Sequence, residues 1–204
     1  MAKKSKIEKM RILITRIFAV IVVLLVIFSE RLFEAINPLV SSILFFIGIA
    51  LVAVASLGRL WCSLYIAGYK TQKLVMEGPY SMSRNPLYFF SFIGAVGVGF
   101  ATETLTIPLI IAFAFITYYP SVIRREESKL LARHGEQFKS YLESTPVFFP
   151  EISKLKEPEE YKVNPIVFRN HIFSALWFIW LVGILEILEE LHDLGFLPVF
   201  IKIY

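Results

Sequence analysis

Cysteine and histidine are scarce in this sequence, and their scarcity limits the chemistry available to the chain. A single cysteine, Cys62, excludes an intrachain disulfide, and one thiol cannot build a metal cluster. The three histidines, His134, His171 and His192, lie far apart in the sequence and in different segments. We therefore expect no metal site and no function that depends on one.

Apolar residues, by contrast, are abundant. Of 204 residues, 56% are hydrophobic and 15% aromatic, and the mean hydropathy is +0.65, more than a soluble domain with a polar surface can carry. Because a helix needs about 20 residues to cross the hydrocarbon layer, we interpret the first two apolar runs and the last as spans and the middle two as a tight helical hairpin. The predicted fold class is all-α, a multi-pass membrane protein with about five transmembrane helices. The runs cover residues 12–28, 39–57, 87–101, 105–119 and 172–188.

The basic residues predict the orientation of the chain. The first apolar run follows MAKKSKIEKMR and resembles a signal peptide, but it has no small-residue cleavage pattern, so we expect a retained helix. With a cytoplasmic N-terminus, every lysine and arginine except Arg31 and Lys202 lies on the cytoplasmic side, as the positive-inside rule favours. The net charge of +4 then comes from basic loops, which orient the protein and contact anionic lipid headgroups. We expect no nucleic-acid binding.

Two polar segments, 59–85 and 121–165, are predicted on the cytoplasmic side at the open ends of the hairpin. The first leads into GPYSMSRNPLY, where Ser83 or Asn85 can cap the helix that follows. This structural interpretation leaves Arg84 unexplained. A helix N-terminus attracts anions, and an adjacent arginine strengthens that preference for a carboxylate or phosphate.

The second polar segment carries adjacent glutamates, Glu126 and Glu127, shortly after an apolar run. Neighbouring helix residues point about 100° apart, so the two carboxylates cannot face one ligand atom. They can hold two parts of a ligand, or one ligand and one arginine. The alternative is a solvated charged helix. Carboxylates at headgroup depth, opposite a turn that bears an arginine, are costly unless they are paired or used.

Both polar segments carry a family resemblance. QKLVMEGPYSMSRNPLYF and RREESKLLARHGEQFKSYLESTPVFFP resemble, in the same order, two signature blocks of the integral-membrane methyltransferases of the isoprenylcysteine carboxyl methyltransferase and phospholipid methyltransferase superfamily. The resemblance implies S-adenosyl-L-methionine as methyl donor, bound without a Rossmann fold between the hairpin and the cytoplasmic helix. It also implies a lipophilic acceptor that enters from the membrane.

The resemblance assigns roles to individual residues. Arg84 is expected to position an anionic group, and Glu127 to take a proton from an amine acceptor; these are the two predicted catalytic residues. A carboxylate or thiolate acceptor needs no base. The predicted cofactor-binding residues are Gln72, Leu74, Gly78, Pro79, Tyr80, Arg84, Asn85, Pro86, Tyr88, Glu126 and Glu127.

Four positions depart from the family pattern. Asn85 stands where histidine is frequent, Phe138 where tyrosine is usual, and His134 where phenylalanine is usual. Val147 replaces a common arginine and could alter acceptor binding, so the prenylcysteine substrate is not carried over. Prenylated cysteine, a phospholipid amine, an isoprenoid and a small thiol all stay open as acceptors.

We expect residues 1–150 to form the methyltransferase core, and residues 151–204 to add a linker, the last transmembrane helix and an interfacial tail. Two other classes of function stay open at this point. One is a nicotinamide-dependent membrane reductase of the sterol-reductase type, which shares the hairpin architecture. The other is a non-catalytic membrane protein.

Overall fold

The computed structural model of the protein describes residues 17–18, 20–31, 33, 36–67 and 73–203. These residues are mostly helical, which confirms the all-α class. Residues 20–28 are helical and lead into the first short strand. The elements that follow are β1 (Ser29–Arg31), α1 (Pro38–Ile66), α2 (Pro79–Met82), α3 (Pro86–Phe100), α4 (Thr106–Ser144), a 3-10 turn (Ile152–Lys154), α5 (Pro165–Asp193) and β2 (Ile201–Ile203).

Three helices, α1, α4 and α5, are long and apolar enough to cross a membrane, and α3 is a shorter apolar helix. The chain is therefore a multi-pass membrane protein, as predicted. Residues 12–16 and 19 of the first predicted span lie outside the described residues.

Helix α1 is longer than the apolar run that predicts it. It begins after Asn37, whose side chain accepts hydrogen bonds from the backbone N–H groups of Leu39 and Val40, which have no partner within the helix. It continues to Ile66, so the first eight residues of the predicted polar segment 59–85 are helical. Arg59 lies inside the helix, about two turns before its end.

The α1 and α3 backbones approach closely through glycine. A Cβ atom added at Gly48 would lie 2.5 Å from the backbone nitrogen of Ala101 and 2.8 Å from the Gly97 carbonyl oxygen. Small residues allow such close packing in membranes, where helix association depends on van der Waals contact. Side chains at the α1 interface, including those of Ala55 and Cys62, are consequently fully buried.

The predicted hairpin forms, but its second arm is much longer than its apolar run. Residues 101–105 connect α3 to α4, and Thr102 Oγ1 donates to the Gly99 carbonyl at 2.7 Å. The apolar run ends at Tyr119, yet α4 continues to Ser144 through strong helix formers. The helix is kinked at Gly135, where φ is +52°. The 29 residues before the kink alone span roughly 43 Å, more than the hydrocarbon thickness of about 30 Å. The second half of α4 therefore extends out of the membrane and carries both glutamates.

The last helix, α5, packs against α1 and brings the two ends of the described chain together. Asn164 caps its start, and Ser56 of α1 donates a hydrogen bond to the Ala175 carbonyl at 3.3 Å. Beyond α5, strand β2 pairs in parallel with β1. His192 of α5 also lies 2.7 Å from the Ile27 carbonyl oxygen, so the C-terminal tail packs against residues near β1.

Candidate active site

The GPYSMSRNPLY turn is joined to the end of α4 mainly by Arg84. Its Nε donates to Glu127 Oε1 at 3.0 Å, and its Nη1 donates to the carbonyls of Leu142 and Thr145. Carbonyls in the last turn of a helix have no partner within the helix, so the guanidinium satisfies groups that would otherwise need water. The Arg84 backbone N–H also donates to the Pro146 carbonyl at 2.8 Å.

Glu126 takes a different partner from its neighbour, as the 100° separation predicts. Tyr88 donates its hydroxyl hydrogen to Glu126 Oε2 at 2.7 Å. The Tyr88 ring meets Tyr119 edge-on, with centroids 5.3 Å apart, and Tyr119 stacks on Phe115 at 3.5 Å. The two carboxylates therefore occupy separate surroundings, one beside an arginine and one beside a group of aromatic rings.

Gly78 permits the sharp turn that starts this segment. Its φ of +59° lies in the left-handed region, and an added Cβ would come within 2.3 Å of the Tyr65 ring. Its N–H donates to the Lys156 carbonyl at 2.8 Å, and the Ser81 hydroxyl donates to the Gly78 carbonyl at 2.7 Å. The turn is thus held between α1 and the segment after the 3-10 turn.

Several other predicted residues are buried in packing. Leu74 packs with Phe138 and Tyr141, and Pro79 and Pro86 are almost completely buried. All three have apolar side chains, so they support the site by packing beneath it.

Asn85 and Ser83 hold the GPYSMSRNPLY turn. The sequence predicts that one of them caps α3, but neither side chain does so. Asn85 is the residue before the helix and makes no side-chain cap hydrogen bond. Its Nδ2 instead donates to the Val147 carbonyl at 2.9 Å. Ser83 accepts from the Asn85 N–H at 3.2 Å and donates to the Phe148 carbonyl at 3.0 Å. Both side chains therefore tie the turn to the segment after α4.

Tyr80 is fixed through its backbone, whose carbonyl accepts a hydrogen bond from the Tyr141 hydroxyl at 2.6 Å. Burial raises the pKa of Tyr80 well above its usual value, and nearby Glu126 acts in the same direction. The phenol therefore stays neutral at physiological pH and can serve only as a neutral hydrogen-bonding or aromatic group. Gln72 lies outside the described residues.

The predicted residues do not all face one cavity. Glu127 lines a cavity of about 400 Å³ together with Arg124, Val147 and Phe148. Leu74 lines a different, more polar cavity of about 500 Å³ beside α4. The glutamate side and the leucine side of the site therefore face different spaces.

A larger cavity of about 880 Å³ contains residues that the sequence motifs do not indicate. It lies between α1, α3, α4 and α5, with Phe18 of the first segment also in its wall, and the wall includes Arg59, Ser91 and Ser174. It shares Phe115 and Tyr119 with the Glu127 cavity. Arg59, Ser91 and Ser174 come from distant segments, and no local spacing in the sequence connects them.

Within the part of the chain that the structure describes, no group of three or more His, Cys, Asp or Glu side chains could hold a metal ion. Cys62 is a buried free thiol.

Comparison with known proteins agrees with the motif resemblance. Residues 40–137 match the phospholipid methyltransferase family. The chain is 40% identical to the nickel-cobalt-cadmium resistance protein NccN of Alcaligenes xylosoxydans xylosoxydans over 162 aligned residues. The alignment covers 79% of this chain and 76% of NccN. It is 39% identical over 158 residues to the cobalt-zinc-cadmium resistance protein CzcN of Cupriavidus metallidurans, covering 78% of this chain and 73% of CzcN. No solved structure matches. The matched region contains α3, Arg84 and both glutamates, and the chain belongs to the phospholipid methyltransferase family.

Proposed function

We propose that this protein transfers a methyl group from S-adenosyl-L-methionine to a lipophilic acceptor at the cytoplasmic face of the membrane. The observation that carries the proposal is the pair of contacts between the two motif blocks: Arg84 with Glu127, and Tyr88 with Glu126. These contacts collect charged and aromatic groups at the point where the hairpin leaves the membrane. The proposal keeps residues 1–150 as the core and residues 151–204 as an extension.

The residues beside these contacts suit the proposed cofactor. The Glu126 carboxylate would accept hydrogen bonds from an amine or from ribose hydroxyls. The rings of Tyr88 and Tyr119, packed 5.3 Å apart, would offer an aromatic face to a positive sulfonium. When bound, the cofactor supplies an electrophilic methyl group on that sulfonium.

Arg84 would contribute partly through structure. Its contacts with Glu127 and the α4 carbonyls use Nε and Nη1, so Nη2 is the atom that we assign to the cofactor carboxylate. Arg84 would thus orient the cofactor while holding α4 in place.

Glu127 is the proposed proton acceptor when the acceptor group is an amine. It is mostly buried, with 20% of its side chain exposed, and it lines an otherwise largely apolar cavity. A carboxylate or thiolate acceptor would need no base. In that case, holding the acceptor near the methyl group in line with the bond that breaks would supply most of the catalysis.

The test is the thermal midpoint of the purified protein with and without S-adenosylhomocysteine. A ligand that binds only the folded state, at 100 times its dissociation constant, adds about 2.7 kcal/mol of stability. We expect an upward shift in the parent that is reduced in Glu126→Gln. Glu136→Gln is the matched control, because Glu136 also lies on α4, is 86% exposed, and has its ion pair within the described part of the chain with Lys139.

Two outcomes would count against the proposal. The first is a folded parent that shows no shift at saturating ligand; nicotinamide cofactors would then be tested in the same way, as the reductase alternative requires. The second is an equal loss of the shift in Glu126→Gln and Glu136→Gln, which would remove the assignment of the site.

The names of the relatives extend the proposal. NccN and CzcN are named for resistance to nickel, cobalt, zinc or cadmium, and we propose that methyl transfer by this chain contributes to the same resistance. Expression of the parent in a metal-sensitive host should raise the cadmium concentration that the cells tolerate, whereas Glu126→Gln should not. Equal tolerance with both would remove this extension and leave the methyltransferase proposal untouched.

A further inference from the structure

The cavity of about 880 Å³ between α1, α3, α4 and α5 has the properties of a binding site for a membrane amphiphile. Most of its wall is apolar, and Phe173 and Trp177 of α5, which border it, are 70% and 60% exposed. The exposed α5 side chains are those that a membrane-spanning helix presents to lipid. An apolar chain could therefore enter from the bilayer without crossing a polar surface.

Among the described residues that line this wall, Arg59 is the one that carries a charge. Its Nη1 donates to the Ser91 hydroxyl, and its Nη2 donates to the Ser174 hydroxyl at 2.9 Å. The guanidinium carbon lies 5.5 Å from the centroid of the Phe178 ring. These neutral groups fix the position of the guanidinium but leave its positive charge unbalanced.

Two features of Arg59 point to a missing partner. Its Nε is buried and has no hydrogen-bond partner among the described residues, and none of their carboxylates forms a salt bridge with it. A buried donor without a partner costs free energy, and native structures leave few of them. An ionisable side chain inside a membrane bundle is by default a sign of a functional site.

We propose that this cavity binds a long-chain carboxylate, with its carboxylate on Arg59 and its chain along the apolar wall. A carboxylate supplies the single negative charge that balances Arg59. Its two oxygens match the fork of parallel N–H donors that a guanidinium presents, and Nη1 and Nη2 each carry a second hydrogen besides the one donated to a serine. The volume falls within the range of about 300–1,000 Å³ that is usual for small-molecule sites.

The cavity borders the proposed cofactor residues. Phe115 and Tyr119 line both this cavity and the one that contains Glu127, and Tyr119 packs against Tyr88. The identification of the bound carboxylate as the methyl acceptor rests on the proposed function. Binding of the carboxylate itself does not, and it can be measured without cofactor.

Trp177 provides a direct probe. Of the three tryptophans, Trp61 and Trp180 would be changed to phenylalanine so that Trp177 alone reports on the cavity. The purified protein in detergent would be titrated with 9,10-dibromostearate, whose bromines quench a tryptophan in contact with the chain. The methyl ester of the same acid is the neutral comparison, and a dibrominated phosphatidylcholine is the diacyl comparison.

We expect the acid to quench Trp177 saturably. At the same mole fraction, the ester and the phospholipid should quench Trp177 at least about tenfold less. Arg59→Gln should weaken binding of the acid by about 10- to 100-fold. Arg169→Gln is the matched control, since Arg169 lies exposed on α5 outside the cavity. It should leave the titration unchanged.

Equal quenching by acid and ester, or an unchanged titration in folded Arg59→Gln, would overturn the proposal. Equal, Arg59-dependent quenching by the phospholipid would overturn the choice of a carboxylate. If Arg59→Gln does not fold, the double variant Ser91→Ala with Ser174→Ala takes its place. It should reduce the preference for acid over ester by at least about threefold, and an unchanged preference would overturn the proposal.

Discussion

Arg84 and Arg59 lie near the same end of the helix bundle but are held in opposite ways. Arg84 has a carboxylate partner in Glu127 and donates to two helix-end carbonyls as well. Arg59 donates to two serine hydroxyls, and its buried Nε has no partner among the described residues. The comparison indicates that Arg84 joins parts of the protein, whereas Arg59 is placed to bind a ligand.

The largest effect on stability should follow from Arg84→Ala. The variant leaves Glu127 without its cation and the Leu142 and Thr145 carbonyls at the end of α4 without their donor. The free energy of unfolding should therefore fall by about 2–4 kcal/mol. Denaturant unfolding followed by circular dichroism in detergent measures this loss. A change below about 1 kcal/mol would mean that Arg84 does not join the turn to α4.

Gly78→Ala tests the turn that positions Arg84. It forces an alanine into φ +59° and brings its Cβ against the Tyr65 ring. The free energy of unfolding should therefore fall by about 1–3 kcal/mol. Gly135→Ala is the control, because Gly135 has φ +52° but nothing within 4 Å of an added Cβ. An equal loss in both variants would attribute the effect to backbone strain alone.

Tyr88→Phe separates cofactor binding from stability. The variant removes the hydroxyl that donates to Glu126 but keeps the ring that packs against Tyr119. We expect S-adenosylhomocysteine to bind about tenfold more weakly, while the free energy of unfolding changes by no more than about 1.5 kcal/mol. Isothermal titration calorimetry measures the affinity, and unchanged binding would remove Tyr88 and its hydrogen bond from the cofactor site.

The smallest effect on stability should follow from Arg59→Gln. Because no carboxylate among the described residues is left unpaired when this charge is removed, we expect the free energy of unfolding to change by less than about 1 kcal/mol. The same unfolding measurement would contradict the comparison of the two arginines if it gave a loss as large as that of Arg84→Ala.

The sequence allows the spans and the meeting of the motif blocks to be predicted, because both depend on local patterns. Apolar runs indicate membrane helices, and a three-residue link between two such runs forces a hairpin. The separate partners of Glu126 and Glu127 follow from helix geometry. The partner of Arg84 is consistent with the alternative in which one glutamate holds an arginine.

The α1 extension and the large cavity could not be predicted in this way. Hydropathy falls before the ends of α1 and α4, but a helix continues past its apolar run wherever packing and helix propensity support it. Arg59 therefore resembles an orienting loop charge in the sequence. Ser91 and Ser174 are small polar residues in apolar helices, and only tertiary packing brings them to Arg59.

Methyl transfer itself is the most direct test of the central claim. Purified protein in a mixture of bacterial membrane lipids and long-chain carboxylates would be given methyl-labelled S-adenosyl-L-methionine, and the organic extract would then be counted. The account predicts label in the extract with the parent and with Glu136→Gln, and much less with Glu126→Gln. Label no higher than in a heat-inactivated sample, from folded protein at saturating donor, would contradict it.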